Sequence, residues 1–340
     1  MIKMFKDKKI LVTGGIGSIG KDVVRNLITQ NAKVIRILDV DETKEFEFQE
    51  ELKDFENVRF LLGDLRDKNR LARAVEDIDI IIHAAALKHV LACEYNPFEA
   101  IKTNVIGTQN LIDVAMDENV EKVIFTSSDK ATNPSNTMGT TKLLAEKLMV
   151  AANYYKGKRR TCFSCVRFGN VLGSRGSIVP LIKDQIKSGK NVTLTHHDMT
   201  RYIITQSQAV DLIFKSLKIM RGGEVFVMKM PSIKVTDLVD VMIKKLAPKH
   251  RQKNVKIEEI GIKAGEKMYE ELMTEEETSR ALEIEDLYVI LPQIKELLSI
   301  NYSYKNAKFV KNIVRTSEDA KTLSKKEIEN ILAKEGLLEV

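Results

Sequence analysis

Between Lys9 and Phe168 the chain alternates short runs rich in Val and Ile with stretches of helical length, a pattern that few folds accept. The runs cover residues 9–13, 33–39, 58–62, 78–83, 122–127 and 161–168. Between them, residues 21–29, 68–76, 108–117 and 138–155 carry apolar side chains at helical spacing. Strands buried on both faces are apolar throughout, and parallel strands need helical crossovers. The pattern therefore predicts an α/β fold with a doubly wound parallel sheet. Beyond Val171, turn-rich segments (GSRGS, THHDMT) alternate with helical candidates at 207–220 and 236–246. This predicts a first domain over 1–170 and a smaller lobe over 171–340, with some of its segments returning to the first domain. Ser324 and Glu327 have capping-box spacing ahead of Ile328, Ile331 and Leu332, which predicts a closing helix.

Composition narrows the class of function. The chain has 340 residues, 44% of them hydrophobic and 30% charged, as in folded globular proteins. Lys and Arg exceed Asp and Glu by 54 to 48. That excess is too diffuse for a nucleic-acid surface but suits an anionic small molecule. The basic N-terminal segment ends in glycines with no small-residue cleavage site, so it reads as a strand and not as a signal peptide. The longest apolar stretch, 78–86, is interrupted by His83 and falls short of the ~18 residues a membrane span needs. A soluble cytoplasmic protein and a homo-oligomer are expected, with no membrane or nucleic-acid partner. Cys162 and Cys165 have C-x-x-C spacing, but Cys93 is the only other thiol, so they read as strand thiols and no metal is expected. His196 and His197 read as a solvated turn.

Gly14, Gly17 and Gly20 form a G-x-x-G-x-x-G loop, with Ser18 and Ile19 inside it, between the first strand and the first helix. In that context backbone N–H groups approach a pyrophosphate at a helix N-terminus, which predicts a Rossmann-type dinucleotide site. Asp39 ends the second run, where a carboxylate accepts from ribose hydroxyls and repels a 2′-phosphate. It favours NAD over NADP, although it could instead cap the next helix, and Arg36 and Lys44 lie close by. Asp64 and Leu65 follow the third run as candidate adenine contacts, and Ala84, Ala85 and Ala86 follow the fourth as a small-residue approach to the cofactor.

The segments TGGIGSIG, GDLRD, HAAALKHV, KTNVIGTQN, SSDKATNPSNTMGTTK, RFGNVLGSRGS, MTRY and GEK occur in an order that resembles the extended short-chain dehydrogenase/reductases. In particular they resemble the UDP-N-acetylglucosamine 4,6-dehydratases of polysaccharide and nonulosonic-acid biosynthesis. The resemblance spans residues 8–274 and is most specific at Ser127-Ser128-Asp129-Lys130. It implies a tightly held NAD(P), with Asn104 and Lys142 among the cofactor contacts, and a UDP-sugar substrate. Many superfamily members have Tyr-x-x-x-Lys where this chain has Met138-x-x-x-Lys142, and a thioether has no ionisable proton. A subset of these dehydratases is similar in carrying Met there. Lys263 stands where relatives have Arg, replacing a bidentate guanidinium with a point charge.

The implied chemistry accounts for these residue types. Oxidising carbon 4 of a hexose acidifies the proton on carbon 5, after which water can leave across carbons 5 and 6. By resemblance Lys130 is the carbon-5 base and Asp129 the acid at the carbon-6 hydroxyl, which requires a lowered lysine pKa and a raised aspartate pKa. Ser128 is placed to bond the carbon-4 oxygen and Lys142 to bind the nicotinamide ribose. With Met138 in place of tyrosine, Asp129 is the preferred acceptor of the carbon-4 hydroxyl proton, since Lys142 with an ordinary pKa of about 10.4 is a poor base. Arg175 and Arg201 are candidates for the diphosphate. Lys88, His89, Asn170, Ser174, Thr195 and Glu266 resemble positions lining the sugar and uridine pockets. Three alternatives stay open: dehydration with inversion at carbon 5, a UDP-sugar 4-epimerase, and a non-catalytic NAD-binding regulator.

Overall fold

Branched side chains are stiff at χ1 and pack well on a pleated surface, so the Val- and Ile-rich runs become strands. The computed structural model describes residues 4–311 and 315–339. The first six strands are β1 (Lys9–Thr13), β2 (Val34–Asp39), β3 (Val58–Leu62), β4 (Ile80–His83), β5 (Lys122–Thr126) and β6 (Cys162–Arg167). The helices among them are α1 (Ser18–Thr29), α2 (Glu42–Glu51), α3 (Lys68–Val75), α4 (Val90–Tyr95), α5 (Pro97–Ala100), α6 (Gly107–Asp117) and α7 (Thr137–Tyr155). A π-type turn over Ile101–Ile106 leads into α6. All six expected strands form. Helix α2 was expected only as an element that Asp39 could cap and its bounds were not read, because its sequence ETKEFEFQEE buries only Phe48 and has no apolar stripe. Phe48 anchors it beneath Lys21 and Arg25, whose cationic ends lie 4.8 and 5.5 Å from the ring centre.

The second half adds β7 (Asn170–Val171), α8 (Ile178–Lys187), β8 (Val192–Leu194), β9 (Thr200–Ile204), α9 (Gln206–Ile219), β10 (Val225–Met228), β11 (Ser232–Lys234) and α10 (Val235–Leu246). It ends with β12 (Ile257–Glu259), α11 (Glu275–Ser279), β13 (Ala281–Ile284), β14 (Leu287–Ile290), β15 (Lys308–Phe309) and α12 (Lys325–Lys334). The main sheet runs β15-β13-β14-β10-β6-β5-β4-β1-β2-β3. Strands β1 to β6 and β10 are parallel, and the β13–β14 hairpin is antiparallel. The order of strand addition reverses between β1 and β4, and an open α/β sheet has its ligand crevice at that point, outside the carboxyl ends of the strands. The largest apolar core surrounds this sheet. A second core joins Val179, Ile182 and Ile186 of α8 to Leu238, Val239 and Met242 of α10 and Ile328 and Leu332 of α12. Helix α12 opens with the expected capping box of Ser324 and Glu327. No described helix is long and apolar enough to cross a membrane.

A buried ionic knot locks the later chain against β6. Arg167 donates to both carboxylate oxygens of Glu146 on α7 at 3.1 and 2.7 Å. It also reaches both oxygens of Glu277 on α11 at 3.0 Å and the Leu272 carbonyl at 3.1 Å. The two carboxylates hold the guanidinium above its ordinary range despite its burial, and Arg167 in turn draws Glu277 down to about 2 against the opposing effect of burial. Arg167→Met would leave two carboxylates buried without their cation. It should cost about 3–5 kcal/mol, read as a lowered denaturation midpoint with an unchanged slope.

Candidate active site

The glycine loop has the shape a dinucleotide needs. Gly14 has φ +66°, and a Cβ there would lie 2.6 Å from the Ala85 nitrogen, so only glycine fits where the loop passes the Ala84–Ala85 turn. Ala84 N donates to the Thr13 carbonyl at 3.1 Å, and the turn continues through Ala86 to Leu87. Helix α1 begins at Ser18, with Ile19 and Gly20 in its first turn, and its N-cap Gly17 has no side chain to occupy the free N–H groups. Asp39 leans back onto this loop. Its carboxylate accepts from Ile16 N at 3.3 Å and Val40 N at 2.8 Å. Asp41, not Asp39, caps α2 by accepting from Lys44 N at 3.2 Å. Both nearby cations are engaged, Arg36 by the carbonyls of Ala74 and Glu76 and Lys44 by Asp41.

Across the crevice, the chain leaves β5 through Ser127 and Ser128 into a 3₁₀ turn at Asp129–Ala131. Asp129 N donates to the Phe168 carbonyl at 3.1 Å, so sheet pairing with the β6 end fixes this turn. Gly139 on α7 permits it too, since a Cβ would collide with the Lys130 carbonyl. Asp129 is fully buried and accepts from the Ser128 hydroxyl at 2.9 Å. Lys130 Nζ reaches three oxygens: Asn170 Oδ1 at 2.9 Å, Asp129 Oδ1 at 3.1 Å and Glu270 Oε1 at 3.2 Å. Asp129 Oδ2, Glu270 Oε2, the Ser127 hydroxyl and the Tyr202 hydroxyl are buried with no hydrogen-bond partner among the described residues. Such groups are expensive to leave unmatched unless a ligand meets them.

The electrostatics correct one expectation. A base at carbon 5 calls for a lowered lysine pKa, yet Lys130 is raised. Burial pulls it down, but the carboxylates of Asp129 and Glu270 push it up further. Burial pushes Glu270 up, against the pull of Lys130 and with help from Asp129. Glu270 was not anticipated. It is one of three glutamates in GEKMYEE (265–271), and no local spacing separates it from Glu271, which instead accepts from Asn133 Nδ2 at 2.9 Å.

Lys142, one turn beyond Met138, donates to the Thr126 carbonyl at 2.9 Å and lies 4.5 Å over the Phe125 ring. Burial lowers its pKa to about 8. An ordinary lysine pKa therefore does not bar Lys142 from acting as a base. Met138 is buried in a small apolar cluster with Cys93 and Ala100, and Val90 packs against it. His83 is bonded to Thr13 Oγ1 at 2.7 Å and Thr108 Oγ1 at 3.1 Å, and burial lowers it to about 3.

The other expected residues divide into those near the glycine loop and those elsewhere. Arg175 N donates to Ser18 Oγ at 3.0 Å, and Lys88 Nζ to the Arg175 carbonyl at 2.7 Å. His89 lies against Gly176. Lys88, His89 and Arg175 thus gather beside the start of α1, with buried Ser174 adjoining. Burial and then Arg175 lower Lys88; burial, Lys88 and Arg175 lower His89. Arg201 differs from the expected diphosphate contact. Its guanidinium is buried, donates to the carbonyls of Thr200, Met268 and Lys267 at 2.7 to 3.1 Å, and lies 3.8 Å from Glu270. Asn104 is a staple, bonded through its amide to Leu87 N and O and to Thr141 Oγ1. Asp64 is engaged by Arg66, and Leu65 is buried, its carbonyl accepting from Asn110. Glu266 accepts from Lys263 N at 3.3 Å, and Thr195 follows β8; neither contacts the Lys130 cluster. Cys162 and Cys165 are free thiols on β6, and His197 pairs with Glu259.

Comparison with known proteins defines the class. The polysaccharide biosynthesis protein family matches residues 10–292, and the chain belongs to that family, with the short-chain dehydrogenase/reductase fold. A Methanocaldococcus jannaschii relative described as an uncharacterized membrane protein is 56% identical over 96% of both chains. A Campylobacter jejuni relative named UDP-N-acetylglucosamine 4,6-dehydratase (inverting) is 42% identical over 97% of this chain and 98% of its own. A Rickettsia bellii relative named UDP-glucose 4-epimerase is 37% identical over 97% and 96%. The solved structure of Pen from Bacillus thuringiensis is 44% identical, covers 98% of this chain and 99% of that one, and superposes with a TM-score of 0.93.

Lys142 makes stability pH-dependent in a specific direction. Its folded-state pKa of about 8 lies below the ordinary 10.5, so between those values the unfolded chain binds more protons. Its contribution is therefore least favourable below pH 8 and improves as pH rises toward 10.5. Lys142→Met should remove that slope, worth about 3 kcal/mol over the interval. Chemical denaturation of wild type and variant at pH 7 and pH 10 checks it through the change in their difference.

Proposed function

We propose that the chain is a UDP-N-acetylglucosamine 4,6-dehydratase, a hydro-lyase yielding a UDP-2-acetamido-2,6-dideoxy-4-ketohexose. The observation that carries this reading is the buried contact of Lys130 with Asp129 and Glu270 at the carboxyl end of β5, across from the glycine loop. An epimerase needs no such acid and base pair beyond carbon 4. The name of the Campylobacter jejuni relative favours inversion at carbon 5 over retention. The Rickettsia bellii relative keeps 4-epimerisation as the second reading. The engagement of Arg36 by backbone carbonyls and of Lys44 by Asp41 supports NAD rather than NADP, because neither of these cations is free to meet a 2′-phosphate.

Gly14, Gly17, Ser18, Gly20 and Asp39 would hold the dinucleotide, and Lys142 its nicotinamide ribose. A nicotinamide bound there supplies the hydride acceptor and donor that the chemistry requires. The chain's own groups do the rest. Asp129 takes the carbon-4 hydroxyl proton in place of the tyrosine that Met138 replaces, and Ser128 holds the carbon-4 oxygen. Lys130 removes the carbon-5 proton. Asp129, now a neutral acid, protonates the departing carbon-6 hydroxyl, so one proton serves two steps. Lys88 and Arg175 offer positive charge to a diphosphate, and His89 beside them a ring N–H. Burial of Asp129 and Glu270 keeps water from the reacting groups.

Incubation with UDP-N-acetylglucosamine should give a product lighter by one water with a carbon-6 methyl signal in the proton NMR spectrum. Unchanged mass with altered configuration at carbon 4 would replace this reading with the epimerase. Lys130→Ala and Asp129→Asn should each reduce dehydration ~10²–10⁴-fold, while His196→Ala should not. Asp129→Asn should also lose the rise in absorbance at 340 nm that accompanies carbon-4 oxidation. A normal rise followed by a stall would leave Asp129 as the elimination acid alone.

A further inference from the structure

Dehydration as proposed above has two protons to place before water can leave. One comes from the carbon-4 hydroxyl and goes to Asp129. The other is already on Lys130, whose two carboxylate neighbours keep it an ammonium. An ammonium has no lone pair with which to take the carbon-5 proton, so its extra proton must first move. Lys130 is still 20% exposed. A sugar seated over Asp129 would cover that face, so water is not a ready acceptor.

The Lys130 ammonium touches three oxygens, and only one is a free acceptor. Asn170 Oδ1 belongs to an amide, which is too weak a base. Asp129 already takes the carbon-4 proton. Glu270 remains, its Oε1 at 3.2 Å from Nζ, its side chain 3% exposed and its Oε2 without any hydrogen-bond partner among the described residues. Its backbone is clamped on both sides. Glu270 N donates to Ser317 Oγ at 3.0 Å, and Ser317 N to the Glu270 carbonyl at 2.9 Å. Arg201, 3.8 Å away and held by three carbonyls, is too far for a close pair and too well held to follow the carboxylate. Lys267 Nζ donates to the carbonyls of Thr132 and Asn133, which ties this segment to the catalytic turn.

We propose that Glu270 is the proton-holding partner of Lys130, a positioning residue that receives the ammonium proton so that Lys130 can act as the carbon-5 base. In the step, an N–H bond of Lys130 breaks and an O–H bond forms at Glu270 Oε1. The ion pair becomes a neutral pair, and the net charge of the cluster is unchanged, so no new buried charge is created. The freed lone pair then takes the carbon-5 proton. The carbon–hydrogen electron pair becomes the carbon-5 to carbon-6 double bond as the carbon–oxygen bond breaks, and the departing oxygen collects the Asp129 proton. Two protons thus use two carboxylates, one on each side of the same lysine. Burial, which pushes Glu270 up, favours its holding a proton during turnover.

Glu270→Gln and Glu270→Asp test this with two readouts. The first needs no substrate: the Lys130 ε-carbon, labelled with ¹³C and assigned by its loss in Lys130→Arg, is titrated by NMR. Glu270→Gln should lower its midpoint, and Glu270→Asp should move it less. The second is kinetic. Glu270→Gln should keep the rise at 340 nm but slow elimination ~10²-fold at pH 7. The rate should then climb with pH at unit slope, because Lys130 must now lose its proton to solvent, and Glu270→Asp should recover part of the wild-type rate. An unmoved Lys130 midpoint would overturn the proposal, as would unchanged elimination in Glu270→Gln or an equal loss of both steps at every pH. If wild type forms no methyl product, the dehydratase reading fails by itself, while the titration still decides whether Lys130 and Glu270 share a proton.

Discussion

A lysine held among carboxylates where water scarcely reaches is the constraint on which the site depends. Lys130 lies between Asp129, its own neighbour in sequence, and Glu270, 140 residues further on. Bringing the second carboxylate there takes much of the fold. The β5–β6 pairing fixes the Asp129 turn, Gly139 lets α7 approach it, and Arg167 binds α7 and α11 to β6 on either side. Lys267, Gly265 and Glu271 each bond the catalytic loop between Thr132 and Asn136, so the segment carrying Glu270 is stitched to the loop carrying Lys130. Buried charges this close are stable only as a satisfied set, and removal of one member leaves the rest unpaired.

Met138 changes how that set is used. With a thioether packed against Cys93 and Ala100, position 138 offers no hydroxyl for the carbon-4 proton, and in the proposed reaction the task passes to Asp129. Lys142, one turn further along α7, is drawn to about 8 by burial and held by the Thr126 carbonyl and the Phe125 ring. In the proposed reaction this contact with the Thr126 carbonyl, rather than an ordinary pKa, keeps Lys142 out of the sugar chemistry.

What was legible in the sequence was local. The strands over 9–13 and 58–62 form as read: in the first a run of apolar residues records burial on both faces, while the second, at the sheet edge, buries only Val58. The glycine loop was legible because Gly14 and its neighbours meet a steric demand that other residues fail. The pair Asp129 and Lys130 was visible because the two are adjacent in the chain, in a segment that resembles the family's. Glu270 and Arg201 were not, because their roles depend on which side of an irregular segment faces a loop far away in the chain. Arg201 reads as an exposed anion contact until the carbonyls of Lys267 and Met268 close around it. The bounds of helix α2 escaped because a single Phe48 anchors it, and the β13–β14 hairpin because its antiparallel partner, β10, lies more than fifty residues earlier.

In the proposed reaction one hydrogen leaves carbon 4 and returns to carbon 6 within a single active site, around an elimination run by Lys130 and Asp129. UDP-N-acetylglucosamine carrying deuterium at carbon 4 tests it directly. The account predicts a product whose carbon-6 methyl group holds that deuterium, seen as a one-unit mass increase in the methyl and a deuterium-split carbon signal. Deuterium retained at carbon 4 in an epimerised sugar, or lost to solvent from a dehydrated one, would contradict it.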